Sequence, residues 1–311
     1  MIPGKTLTLA SLLLAATLVA ALAGACGSAP TGRGRTATGA GGPAVVAVVA
    51  AESQYGDVAA QVGGPYVRVR SIMDNPDTDP HSFEVSTRVA RAIATAGLVV
   101  QNGLGYDGFM GRIEGASPDP GRRVVDARTV LGLPASTANP HLWYDPATMP
   151  RVADAIAADL AALQPAHASY FRANAARFRA SLTPWLQAIQ RLRSRYPGFP
   201  VATTEPVADY LLSAVGARDL TPFSFQADVM NGVDPAPQGI ATETDLLQHR
   251  RVRALVYNRQ VTDSLTSGFV RTARRAGVAV VGVDEIMPAG ESYQAWMLAT
   301  TQRLEQAVSG S

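Results

Sequence analysis

Short valine-rich runs alternate with stretches of helical periodicity along most of the chain. The first run, Ala44 to Ala50, reads as a strand. Tyr55 to Val62 suits a short helix that Gly63-Gly64 stops, and Val67 to Met73 suits a second strand. Apolar side chains at Val85, Val89, Ile93 and Ala96 recur at helical spacing, so Glu84 to Ala96 is expected to be an amphipathic helix. Gly97 to Asn102 is a further buried strand, and Val124 to Asp126 a short one. Strands alternating with helices point to a parallel sheet.

The middle of the chain has a different pattern. Pro146 to Leu163 reads as a helix, and Pro165 opens another that runs to about Tyr196. Its apolar face includes Phe171, Phe178, Leu182 and Leu192, and at 1.5 Å per residue it spans roughly 45 Å. Pro184 falls inside it and is expected to break or kink it. The second half then repeats the α/β logic. Strands are expected at Phe199 to Thr203, Val252 to Tyr257 and Val278 to Val283, and helices at Pro206 to Val215, Thr242 to His249, Thr262 to Ala276 and Tyr293 to Ala307. The fold class expected is therefore α/β: two lobes, each a mostly parallel sheet flanked by helices, joined by one long rigid helix. The lobes are expected at 44–163 and 198–311, with the linking helix at 164–197.

Composition narrows the function. Hydrophobic residues make up 47% of the 311 and charged ones 17%, which suits a folded core. A formal charge of +2 supplies no basic face for nucleic acid. Lys5, an apolar run from Leu7 to Leu22 and the small residues Ala23-Gly24-Ala25 describe an export signal over 1–25. Cys26, the only cysteine, cannot form an internal disulfide. Ala23 to Cys26 resembles the lipobox of bacterial lipoproteins, which implies a lipidated Cys26. The Gly-, Ser- and Thr-rich residues of 26–43 read as a flexible tether.

Two of the four histidines sit in distinctive loops, Asp79-Pro80-His81-Ser82-Phe83-Glu84 and Asn139-Pro140-His141-Leu142-Trp143. A preceding proline restrains the backbone that aims each imidazole. Matching places in the second half hold carboxylates: Glu205 follows one strand and Asp284 another. Ligands of open α/β sheets gather beyond the carboxyl ends of strands. Two neutral imidazoles and two carboxylates around a divalent cation sum to zero charge, which avoids burying an uncompensated ion. Taken singly the signals are modest, because many such histidines are structural and carboxylates at helix starts usually act as caps. His167 and His249 read as structural or solvated.

These His loops, with Thr204-Glu205 and the stretch Val278 to Trp296, resemble the metal-receptor family of bacterial ABC transporters for zinc and manganese. The resemblance runs from about Ala44 to the C-terminus. It implies that His81, His141, Glu205 and Asp284 hold one Zn²⁺ or Mn²⁺ between two lobes, as cargo for a membrane ABC permease. A glutamate in the third position and the lack of a histidine-rich loop lean towards Mn²⁺. Further expectations are a monomer, lipid-anchored on the extracytoplasmic face of the cell membrane, with no enzymatic activity. Three other readings stand beside this one. They are a binder of a metal chelate such as a siderophore or corrinoid, a metal-dependent hydrolase, and an adhesin role coexisting with metal binding.

Overall fold

The computed structural model describes residues 45–75 and 83–310, so the export signal, Cys26, the tether and His81 lie outside the described residues. The first lobe contains β1 (Val46–Glu52), α1 (Ser53–Gly63), β2 (Val67–Met73), α2 (Thr87–Ala94), β3 (Leu98–Gln101), α3 (Gly108–Ala116), β4 (Arg123–Asp126), α4 (Ala127–Leu131) and α5 (Thr148–Leu163). Its strands are all parallel, in the order β2-β1-β3-β4. Side chains alternate across the sheet, as a pleat requires. Val48 and Ala50 of β1 enter one core, while Val49 and Ala51 enter the other. Burial on both faces explains why β1 reads as an unbroken apolar run rather than as an alternating one. Helix α2 starts three residues later than its periodicity suggests, because the Ser86 hydroxyl caps it by accepting from Val89 N at 3.3 Å.

The second lobe follows with β5 (Pro200–Thr203), α8 (Asp209–Ala214), β6 (Arg218–Asp219), α9 (Phe223–Met230), α10 (Pro237–Gln248), β7 (Ala254–Asn258), α11 (Ser264–Ala276), β8 (Ala279–Val283) and α12 (Tyr293–Ser309). Its order, β6-β5-β7-β8, is again parallel throughout and repeats that of the first sheet. Ala254 and Val256 of β7 face the core shared with the first lobe, and Leu255 packs on the far side with Phe225, Leu247 and Phe269.

Two helices join the lobes: α6 (Ala168–Ser181) and α7 (Thr183–Arg195), divided at Leu182. The cause is Pro184, which has no N–H to give the Ala180 carbonyl. The Thr183 hydroxyl donates to that carbonyl instead, at 2.8 Å. Leu182 keeps right-handed helical angles and its carbonyl still accepts from Leu186 N, so the helical path continues across the break. Helix α6 packs on α1 and α5, and α7 packs on α12. The largest core is continuous through both lobes, with Trp143, Tyr144, Trp185, Tyr293 and Trp296 all buried within it. Hydrogen bonds tie the first lobe and the linking helix α7 to α12. Tyr293 Oη donates to the Trp143 carbonyl at 2.7 Å, and Trp185 Nε1 donates to Thr301 Oγ1 at 3.0 Å. Among the described residues, no helix is long and apolar enough to cross a membrane.

Candidate metal centre at the seam between the lobes

His141 lies in the loop between α4 and α5 and is fully buried. The loop is tied to the end of β3: Asn102 Nδ2 donates to the Pro140 carbonyl at 2.8 Å, while Asn102 Oδ1 accepts from Tyr55 Oη at 2.7 Å. Asn139 then sets the state of the imidazole. Its Nδ2 donates to the Pro206 carbonyl at 2.7 Å, and its Oδ1 accepts from His141 N at 3.0 Å, so backbone partners fix which way the amide points. The same Oδ1 stands 2.8 Å from His141 Nδ1, which must therefore carry a proton. In the neutral ring Nε2 is left with a lone pair, the form in which imidazole binds metals. The rings of Trp143 and Tyr106 pack edge-on against it, with centroids at 5.4 and 5.9 Å.

Across the seam stand three side chains of the second lobe. Glu205 follows β5 on extended backbone and is 3% exposed. Asn258, the last residue of β7, donates from Nδ2 to Glu205 Oε2 at 3.3 Å and to Glu285 Oε1 at 2.6 Å. Its orientation is set by Gln260 N, which donates to Asn258 Oδ1 at 3.0 Å. Glu285 is fully buried. Its Oε2 accepts from Tyr106 Oη at 2.8 Å and faces His141 Nε2 at 3.3 Å. Its backbone is held from both lobes: Gln54 Nε2 donates to the Glu285 carbonyl at 3.1 Å, and Gln260 Oε1 accepts from the Glu285 and Ile286 amides.

The structure thus sets His141 against Glu285 and links Glu205 to Glu285 through Asn258; Glu285 was passed over in the sequence reading. Asp284, the neighbouring residue, is also buried and has a charged partner. Arg259 Nε donates to its Oδ1 at 2.7 Å and a second guanidinium nitrogen engages Oδ2, so both oxygens face one cation. The only sequence signal for Glu285 is its adjacency to Asp284 just beyond β8, since two successive residues leaving a strand point in different directions. Among the described residues, no group of three His, Cys, Asp or Glu side chains is close enough to hold an ion. The other two histidines among the described residues have other partners: His167 stacks on Tyr66 with centroids 3.8 Å apart, and the exposed His249 pairs with Asp245.

Glu52 also ends at this depth. It closes β1, is fully buried, and neither carboxylate oxygen has a hydrogen-bond partner. Burial pushes its pKa well above the usual glutamate value, and repulsion from Asp107 adds to the effect. Asp107, buried beside the backbone amides of Asn102 and Gly103, is itself raised to about 7 by desolvation.

Comparison with known proteins bears on this geometry. The profile of the zinc-uptake complex component A, periplasmic, matches residues 48–307. The manganese-binding lipoprotein MntA of Bacillus subtilis is 24% identical over 264 residues, covering 80% of this chain and 83% of that protein. The substrate-binding protein FpvC of Pseudomonas aeruginosa, solved with Mn²⁺, superposes with a TM-score of 0.70 at 22% identity, covering 86% of this chain and 99% of that one. The crystal structure of ZnuA gives a TM-score of 0.70 at 20% identity, over 85% and 99% of the two chains.

Proposed function

Because the chain belongs to the family of the zinc-uptake complex component A, metal-binding substrate-binding proteins of ABC transporters, we propose that it captures one Zn²⁺ or Mn²⁺ at the seam between its lobes and delivers it to a membrane permease. In this reading His81, His141, Glu205 and a carboxylate of the Asp284-Glu285 pair are the ligands. One observation carries it. A buried imidazole, with Nδ1 committed to Asn139, turns its Nε2 lone pair towards a buried carboxylate 3.3 Å away on the other lobe. Two acceptors at that distance require a cation between them, whether a proton or a metal. The donor chemistry suits Zn²⁺ through imidazole and Mn²⁺ through carboxylate oxygen. Zn²⁺ is generally bound more tightly by such a set, so supply and geometry decide which ion is carried.

Protons compete with the ion for imidazole nitrogen, so affinity falls as pH is lowered. Cys26 anchors the protein by a diacylglycerol on the extracytoplasmic face of the cell membrane, and the tether lets one monomer reach its permease. A single pair of acyl chains suffices for this, where one chain alone binds only marginally. A chelate binder would need a wide, aromatic- and arginine-lined cleft, whereas His141 and Glu285 are fully buried against each other.

The test is metal analysis and competitive Zn²⁺ and Mn²⁺ titration of the purified chain. One tight equivalent, weakened at least about tenfold by His81→Ala, is expected, since partners merely behind metal ligands already cost 10–100-fold. Stoichiometric binding that survives His81→Ala unchanged removes His81 from the site, and no binding at all rejects the receptor reading. Replacing Cys26 with alanine should release the protein from the membrane fraction. Retention there would remove the lipid anchor from the proposal.

A further inference from the structure

The β6 flank of the second lobe is held largely by side chains. β6 is two residues long, and its pairing with β5 ends at Val201 and Asp219. Beyond that point Leu220 N still donates to the Val201 carbonyl at 2.9 Å, but Thr203 N donates to a side chain, Thr221 Oγ1, at 2.9 Å. Around this join stand three carboxylates from three elements: Asp209 at the start of α8, Asp219 in β6 and Glu243 in α10. We propose that the three act as one proton-holding lock. With Asp219 ionised and protons on Asp209 and Glu243, the lock fastens β6, α9 and α10 to β5. As pH rises and those protons leave, that flank loosens.

Hydrogen-bond partners show which of the three carries the charge. Asp219 accepts from Thr221 N on one oxygen, and from Thr203 Oγ1 and Gln226 Nε2 on the other, each at 2.9 Å. Three donors on one carboxylate favour its ionised form. Asp209 has only the same Gln226 nitrogen, at 3.4 Å. That amide has two hydrogens, and nearer takers for both in Thr203 Oγ1 at 2.6 Å and Asp219. Glu243 is fully buried. One of its oxygens accepts from Thr221 Oγ1 at 2.8 Å, and the other is buried with no hydrogen-bond partner. An ionised carboxylate so placed is far more costly than a neutral acid.

No cation offsets this cluster. Among the described residues, no arginine or histidine pairs with any of the three. β5 contributes the neutral Thr203 and α9 the neutral Gln226. Other charged groups on the same elements face elsewhere. Arg218 precedes Asp219 in the strand and is exposed on its other face. Asp228 lies two residues along α9 from Gln226, on another side of the helix. Asp245 of α10 pairs with Arg251. Desolvation raises Asp209 to about 7, and repulsion from Asp219 adds to it. Desolvation likewise raises Glu243 to about 8, against the Thr221 hydrogen bond and with Asp219 again repelling.

The experiment uses the full chain without metal and compares wild type with Glu243→Gln and Asp209→Asn, which keep the side-chain size and cannot ionise. A carboxyl raised in the folded state stabilises the fold fully below its unfolded value, and the contribution is lost as pH rises to the folded value. Glu243→Gln should therefore gain on wild type by at least about 2 °C in Tm between pH 5 and 8, and level off above about 8. Hydrogen exchange, corrected for its intrinsic pH dependence, locates the change. Between pH 6.5 and 9, peptides from 218–248 should lose about fivefold more protection in wild type than in Glu243→Gln, with peptides from β7 and β8 alike in both. The infrared band of protonated carboxyl groups at pH 6.5 should weaken in each variant. If Glu243→Gln does not fold, Asp209→Asn carries the same three readouts, with the Tm difference levelling off near 7. Melting temperatures that run parallel in wild type and variants overturn the proposal. So do an unchanged infrared band and a loss of protection spread evenly over the chain.

Discussion

The two sheets have the same strand order, and their registers can be aligned residue by residue. In the first lobe Ala50 pairs with Val100, and in the second Thr203 pairs with Val256. Counting on two residues places Glu52 and Asn102 where the other lobe has Glu205 and Asn258. The same two residue types thus stand at the same two strand ends, yet they act differently. Asn258 gives both amide hydrogens to carboxylates. Asn102 gives its hydrogens to the carbonyls of Gly103 and Pro140, and so positions the loop that carries His141. Glu205 is held by its asparagine, whereas Glu52 is buried with both oxygens unpartnered by hydrogen bonds. One lobe offers its strand ends directly to the seam. The other uses its strand ends to aim a loop, and the loop brings the imidazole of His141 to the seam.

If that division of labour is right, removing the imidazole should do the most damage. His141→Ala is expected to weaken Zn²⁺ binding on the order of 100-fold or more in chelator competition, and, because the ring is fully buried against Trp143 and Tyr106, to lower the Tm of the metal-free protein as well. Asn102→Ala tests the positioning half. It leaves Tyr55 Oη and the Pro140 carbonyl without a partner inside the protein. Metal affinity should fall about tenfold, as for other groups that orient a ligand from behind. Unchanged affinity would mean that the His141 loop holds its shape without β3. Asn258→Ala should act mainly on the metal-free protein. Buried carboxylates that lose a donor cost roughly 1–3 kcal/mol each, so the Tm should drop by about 5 °C or more without metal and recover when Zn²⁺ is added. A drop that Zn²⁺ does not reverse would mean that the ion does not stand in for the amide between these carboxylates.

Much of the fold was legible in the sequence, because apolar runs of four to seven residues between turn residues mark buried parallel strands well. β3 (Leu98–Gln101), with three of its four residues buried, falls inside the run Gly97 to Asn102, and Gly277 ends α11 where a glycine at positive φ is needed. What escaped had no such pattern. β6 is the two residues Arg218–Asp219 at a sheet edge, and α3 carries glycines at positions 108, 111 and 115 that argue against a helix. Of the site, the Asn-Pro-His loop drew attention to His141, and the strand-to-helix turn to Glu205. Both lie at the seam. The partners of Asp284 and Glu285 were not legible, since Arg259, twenty-five residues upstream, reaches Asp284 while Tyr106 and Asn258 reach Glu285, and these are tertiary facts. Asn258 went unremarked for the same reason: nothing in a strand-ending asparagine says that two glutamates will converge on it.

The smallest expected effect is the one that probes the comparison most directly. Burial raises the Glu52 pKa, with Asp107 adding repulsion, so the folded chain holds this proton at pH values where the unfolded chain has lost it. Stability then depends on pH with a negative slope. The contribution of the group is fully present below the ordinary glutamate value of about 4.3, and it is lost progressively as pH rises from there towards the raised folded value. Glu52→Gln removes the ionisation. The variant should therefore gain on the wild type as pH rises from 5 to 8, by at least about 2 °C in Tm, the response of a chain of this size to roughly 1 kcal/mol. Its Zn²⁺ affinity should stay within about twofold, because in the first lobe the glutamate at this register position is an interior acid and not a ligand. Thermal melts across that range and a single titration decide the matter. If Glu52→Gln instead costs affinity on the scale of Glu205→Gln, the two lobes use their aligned glutamates alike, and the site is more symmetric than their hydrogen bonds indicate.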